Sequence, residues 1–278
     1  TGGLGQTTSI FTRGTNSNHT LVLKDGAALI EGINGKNNTE LLDLSDISQI
    51  EILKGPASVQ YGSDAIGGVI QLLTDTPEKN SAFITGLYGE NNTYKALVGL
   101  DLAQDGFFAQ IRGQRLESDG TEILNTQNND QASYDQKGYS AKVGVEKEAY
   151  GLSAEVKENK GTGDYFSYGA PEAYDFLNRL YNVQGHLNFS DSLTWNTRLS
   201  QFEDQYEVVK GSYPSIVNTE QQEIDSNLKW QFTQHQNILV GVEYNKTEAE
   251  KVAAYVGDEG FKSDNETIGY YIQHQFKN

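Results

Sequence analysis

The chain has 278 residues, with 38 acidic side chains against 21 basic ones and a formal charge of −17. That balance argues against a nucleic-acid groove, because neutralising phosphates takes clustered Lys and Arg. The absence of Cys removes any disulfide framework, thiolate nucleophile or Cys-zinc site and leaves the redox compartment open.

Residues 1–78 read as a small α+β unit. Strands are predicted at Thr8 to Thr12, Thr20 to Lys24, Ile50 to Leu53 and Val69 to Thr74, with a short helical turn over Leu41 to Ile47. Gly55-Pro56, Gly62 and Gly67-Gly68 force repeated turns between the last two strands. Gly67-Gly68 is not a phosphate cradle, since no Gly-Lys-Ser/Thr follows and no helix opens there.

From about Ser81 the pattern changes, and residues 79–278 read as a second domain. Apolar and polar residues alternate over segments of roughly ten residues, the signature of a membrane β-barrel. Tyr94, Ala96, Val98, Leu100 and Leu102 form one such series; Tyr139, Ala141, Val143 and Val145, then Leu152, Ala154 and Val156, form others. Similar series continue to Ile268, Tyr270, Ile272 and Phe276, and with a weaker strand at Phe83 to Tyr88 the count is about ten. Short connections are expected at Asn91-Asn92, Gln104 to Gly106, Glu148 to Tyr150, Ser190-Asp191 and Thr233 to Gln236. Long polar ones are expected near Glu117 to Gln136, Asn159 to Asn178, Glu203 to Thr219 and Glu248 to Asn265. Short on one side and long on the other fits periplasmic turns and extracellular loops.

A soluble antiparallel sandwich would also alternate. Its connections would be shorter, however, and the polar face here is rich in Gln, Asn, Lys and Glu, which suits a water-facing lumen. No stretch of eighteen apolar residues exists, so no transmembrane helix is expected, which leaves a barrel open. The fold class expected is an all-β transmembrane barrel preceded by part of an α+β plug, the arrangement of a plugged pore.

Three ordered motifs carry a family resemblance. Ser9-Ile10-Phe11-Thr12-Arg13-Gly14-Thr15-Asn16, Leu21-Val22-Leu23-Lys24-Asp25-Gly26 and the run from Ile50 to Thr74 resemble the plug of TonB-dependent outer-membrane receptors, and among them the receptors for cobalamin (vitamin B12). The resemblance is dense over Gly3 to Thr74 and looser beyond. It implies a monomeric barrel of about 22 strands in the bacterial outer membrane, filled by a plug that admits substrate when TonB pulls on an N-terminal box. Only about ten strands are accounted for. With no Met and a start at Thr1-Gly2-Gly3, the sequence is expected to be part of a longer protein in which the box, the early plug and the rest of the barrel lie elsewhere.

The same resemblance assigns roles to residues. Asp164 and Asp175, with Asp135 and more weakly Asp119, fall where such a receptor holds calcium, an ion that takes six to eight oxygens. Lys137 departs from that pattern, standing where a second acid is expected beside Asp135. Acidic loops also serve simply as solvated surface. Ligand contact at the plug apex is carried over to Asn34, Gly35, Lys36, Asn37 and Asn38, whose amides suit a polar chelate. Tyr165 and Tyr168, with Phe166 and Tyr174, are expected either at the ligand or in the interfacial girdle. Arg13 and Lys54 stand where plugs carry basic residues paired with barrel carboxylates.

No catalytic motif occurs: His19, His186, His235 and His274 are scattered, and His186 reads as lumen-facing. The expected partners are TonB, outer-membrane lipid and a small chelate such as cobalamin. A siderophore, haem or zinc receptor is the alternative within the family; outside it, the alternative is a non-transporting adhesion barrel used by phage or colicin.

Overall fold

The computed structural model describes residues 3–29, 38–55, 61–62, 65–122, 131–167, 170–211, 213–255 and 257–276. Two separate sheets form. The first has four strands in the order β2-β1-β4-β3, with β1 at Thr20–Lys24, β2 at Ala27–Ala28, β3 at Ile47–Lys54 and β4 at Gly68–Thr74. β1 and β4 run parallel, Thr20 opposite Gly68 and Lys24 opposite Leu72, which requires the long excursion between them. The β1–β2 hairpin turns on Asp25-Gly26, both at positive φ (46° and 85°), the backbone of a type I′ turn. Residues 8–12 run without strand pairing, contrary to expectation, and the helical turn is shorter and earlier than predicted, a 3-10 turn at Thr39–Leu41. The strand-like composition of 8–12 is satisfied locally instead: the Ile10 amide donates to the Ser17 hydroxyl and the Thr12 hydroxyl meets that of Thr20.

The second sheet is a ten-stranded antiparallel meander, β5 to β14 in sequence order. Its strands are β5 Ser81–Tyr88, β6 Tyr94–Gln104, β7 Phe107–Ser118, β8 Tyr134–Glu146, β9 Tyr150–Ser167, β10 Ala170–Ser190, β11 Leu193–Lys210, β12 Ser215–Thr233, β13 Gln236–Val252 and β14 Phe261–Phe276. One face is apolar and exposed, carrying Ile111, Val143, Leu152, Val156, Leu199, Ile224, Leu228, Val240 and Ile272. The other is polar and buried under the small sheet, with Gln110, Arg112, Gln114, Gln136, Lys142, Glu155, Lys157, Asn159, Asn178, Asn182 and Glu223. This inverts a soluble protein's pattern and is that of a transmembrane barrel wall, lipid outside and lumen within.

The connections sort by end. Residues 105–106, 147–149, 191–192 and 234–235 are tight turns at one end, the periplasmic one by length; 119–133 and 253–260 are the longest at the other. The Asn91-Asn92 turn lies at the long-connection end, not with the tight turns: the Asp119 amide donates to the Asn91 carbonyl and the Asn92 side chain to Asp119. Strands also replace the long loops expected near 159–178 and 203–219. β9 and β10 pair as far as Ser167 opposite Ala170, and β11 and β12 as far as Val208 opposite Ser215. Beyond the apolar band the outward face turns polar while the buried lumenal face mixes Tyr174 and Phe176 with Glu172, Asn178 and Asp204, so hydrophobic alternation fades while the backbone ladder continues.

Candidate functional site

The small sheet sits against the lumenal face of β8 to β12 and is held there at three levels. Deepest is an apolar patch in which Val22, Ala27, Leu29 and Leu72 of the small sheet pack with Leu180 of β10 and Phe202 of β11. Around it lies a buried ionic cluster. Lys24 bridges Asp46 (3.1 Å) and Glu155; Lys157 bridges Asp46 and Asp43. Lys142 reaches Asp25 (3.1 Å) and the Thr74 hydroxyl (2.6 Å), and Asp25 also accepts from the Thr74 amide at 2.9 Å. A second anchor holds the β1–β2 turn: Arg198 pairs with Glu223, and Glu223 accepts from the Ala28 amide at 3.3 Å.

Burial alone would push the Asp46 carboxyl up; the two ammonium groups of Lys157 and Lys24 outweigh it and hold the group at about 2. For Lys24, burial works against the charge, and Asp46, Glu155 and Asp25 together raise it above its ordinary 10.5. Both groups are therefore held charged where the lumen is otherwise closed to water.

At the outer end of the lumen, Tyr134, Tyr174 and Phe176 are buried with Leu41, and Tyr165 and Tyr206 pack against them. Tyr174 stacks on Tyr206 with centroids 5.0 Å apart, and Tyr134 on Phe176 at 6.2 Å. The Tyr174 hydroxyl donates to the Gly5 carbonyl (2.6 Å), and the Gln6 side chain donates to the Asp164 carbonyl (2.7 Å). Gly5 has φ +69°, and a Cβ there would collide with the Tyr134 ring, so only glycine passes between the two tyrosines. Beside this cluster, Asp204 accepts from the amides of Asn178 (2.6 Å) and Asn38 (3.4 Å).

The expected site residues divide accordingly. Tyr165 and Tyr174 belong to the aromatic cluster, and Tyr165 donates to Glu172 at 2.6 Å. Asn38 is the described member of the apical loop, tied to Asp204; Asn34, Gly35, Lys36, Asn37 and Tyr168 lie outside the described residues. Asp135, Thr162 and Asp175 share one cross-strand row, and Asp164 stands opposite Ala173, so these carboxylates are on paired strands and not in a free loop. Asp135 is bridged by Arg115, Asp164 accepts from the Ser133 hydroxyl (2.5 Å), and Asp119 accepts from Asn92 (2.6 Å). They do not converge, and among the described residues no group of three acidic, His or Cys side chains could hold a metal ion.

Arg13 and Lys54 are exposed and make no ion pair among the described residues. Among the described residues, ion pairs between the small sheet's segment and the strands are made by Lys24, Lys142 and Lys157, which sequence reasoning passed over. The signal was available: charged residues mid-strand, in phase with the lumenal face and out of phase with Tyr139, Ala141, Val143, Leu152, Ala154 and Val156. His186 does face the lumen side and lies 3.4 Å from Glu146.

Residues 1–69 match the family model described as the TonB-dependent receptor plug domain. The whole chain superposes on solved structures of plugged barrels. The FrpB iron transporter from Neisseria meningitidis matches with a TM-score of 0.82 at 13% identity, over 100% of this chain and 52% of that one. The siderophore receptor PiuA from Acinetobacter baumannii gives 0.75 at 13%, over 99% and 50%. The pyoverdine outer-membrane receptor FpvA from Pseudomonas aeruginosa gives 0.79 at 11%, over 98% and 49%. The fold is thus a receptor-type plug followed by ten strands of a transmembrane barrel, and the chain spans about half the length of the structures it matches.

Proposed function

We propose that this chain forms the plug and adjoining barrel wall of an outer-membrane, TonB-dependent receptor that captures a scarce metal chelate outside the cell and admits it on energy-coupled movement of the plug. The observation that carries this reading is the match of residues 1–69 to the plug domain together with a plug sheet docked on the lumenal face of the strands. Tyr165 and Tyr206, half-buried at the edge of the aromatic cluster, offer ring surface that suits a flat or aromatic chelate.

Within that class an iron–siderophore complex is the leading cargo, in keeping with what the structurally similar proteins are named for. Cobalamin rests on the Asp pattern alone, and that pattern is not assembled here. The deciding measurement is calorimetric titration of the intact receptor with ferric siderophores and with cyanocobalamin, each with and without millimolar calcium. Ferric chelates binding in the micromolar range or tighter, with loss in Tyr174→Ala, support the reading. Calcium-dependent cobalamin binding that Asp135→Asn removes transfers the cargo to cobalamin and restores the calcium role, since Arg115 must then leave Asp135. Binding of neither chelate class overturns the proposal.

A further inference from the structure

Above the apolar band, the outward face of the barrel is not uniform. Arg115 of β7 stands directly opposite Lys137 of β8, and Lys137 directly opposite Lys160 of β9. One step nearer the band, Arg179 of β10 lies beside Glu158. The next outward row is Ile111, Ala141, Val156 and Tyr181, with Tyr139 between, so these four cations follow the last apolar and tyrosine positions on four adjacent strands. Same-face residues along a strand are about 6.7 Å apart, so the row falls at headgroup level, not in the open medium.

Three cations directly opposite one another across strands disfavour the ladder. Neighbouring acids relieve two of them: Arg115 pairs with Glu117 and Asp135, and Lys160 with Glu158, which Arg179 shares with Glu203. Lys137, the middle one, makes no ion pair among the described residues. The next strands reverse the sign. Continuing the row from Arg179 come Glu203, Glu220, Glu248 and Asp264, one on each of β11 to β14. Lys246 and Lys262 pair with Glu248 on that flank, so what sets β7 to β10 apart is the run of cations on adjacent strands, continuous with the lipid-facing band.

We propose that Lys137, flanked by Arg115 and Lys160, binds the phosphate of an outer-leaflet lipid headgroup, fixing one anionic lipid against the β7–β10 flank. Strands about 4.8 Å apart let two or three cations reach the oxygens of a single phosphate, whereas the matching row on β11 to β14 presents carboxylates, Glu248 among them already paired with Lys246 and Lys262. The inference depends on the barrel fold and not on the proposed cargo.

Native mass spectrometry of the intact protein in detergent tests it, with bisphosphorylated lipid A and its dephosphorylated form as probes. The phosphorylated lipid is expected to bind about ten-fold more tightly or better, an advantage lost in Lys137→Glu and kept in Lys262→Glu on β14. If Lys137→Glu does not fold, Lys137→Gln decides, with a smaller loss of the same advantage. Equal binding of the two lipids, an advantage that survives in the Lys137 variants, or full competition by millimolar inorganic phosphate overturns the proposal.

Discussion

Asp46 concentrates the electrostatics of plug docking, because two lysines from different elements, Lys24 of the plug and Lys157 of β9, meet on its carboxylate. Removing one partner leaves a buried charge uncompensated, a loss on the order of 3–5 kcal/mol. Lys157→Ala is therefore expected to loosen the plug, seen as faster protease cleavage between β2 and β3, and Lys157→Ala with Asp46→Ala to recover much of the loss. The pH dependence follows from sign. Asp46 is held below its ordinary 3.8, at about 2, so its contribution, on the order of 2 kcal/mol, is complete above about pH 4 and disappears as pH falls through 2. Lys24 is held above 10.5, so its contribution is complete below that pH and is lost as pH rises beyond it. Calorimetric unfolding should show the Asp46 contribution to the plug transition lost as pH falls below about 4, and Asp46→Asn should remove that part of the acid limb.

The β1–β2 hairpin places its tightest turn against Arg198. Gly26 has φ +85°, and a Cβ there would meet the Arg198 guanidinium, so Gly26→Ala is expected to cost about 1 kcal/mol or more in plug stability by denaturant titration. Tyr174→Phe removes the hydroxyl that holds Gly5 while keeping the ring stack, an expected loss of about 0.5–1.5 kcal/mol read in the same titration. Strand identity was legible in the sequence wherever lipid enforces alternation: Tyr139 to Val145 and Leu152 to Val156 lie on strands as expected. It was illegible where the outward face is polar and the lumenal face carries buried polar residues such as Asn159, Glu172 and Asn178, so the polar stretch from Asn159 to Asn178 concealed a paired hairpin. The buried cations were hidden for a related reason. A lysine in phase with the lumen looks like ordinary solvated charge until a second sheet from distant sequence covers it, as Asp43 and Asp46 cover Lys157.

Across the whole molecule the outward and lumenal faces obey opposite rules. Val143 lies within the apolar band, and Val143→Arg is expected to cost about 2–4 kcal/mol in folding into lipid vesicles, whereas a polar exchange at lumenal Ser140 changes folding little and acts on the plug. The two sheets also differ in how they are joined. Within each, strands are laced by backbone hydrogen bonds; between them, every described hydrogen bond uses a side chain, as in Lys157 to the Asp43 carbonyl (2.6 Å), Gln136 to the Leu41 carbonyl (2.9 Å) and Tyr174 to the Gly5 carbonyl. A cavity of about 20 Å³, room for one water, lies between the sheets, lined by Lys24, Asp43, Lys157, Asn159 and Asn178 and by Leu29, Leu42, Leu72, Leu180 and Phe202. Parting the sheets thus tears no ladder: water can take over each bond singly, so the plug can slide by successive exchange instead of breaking free in one cooperative rupture.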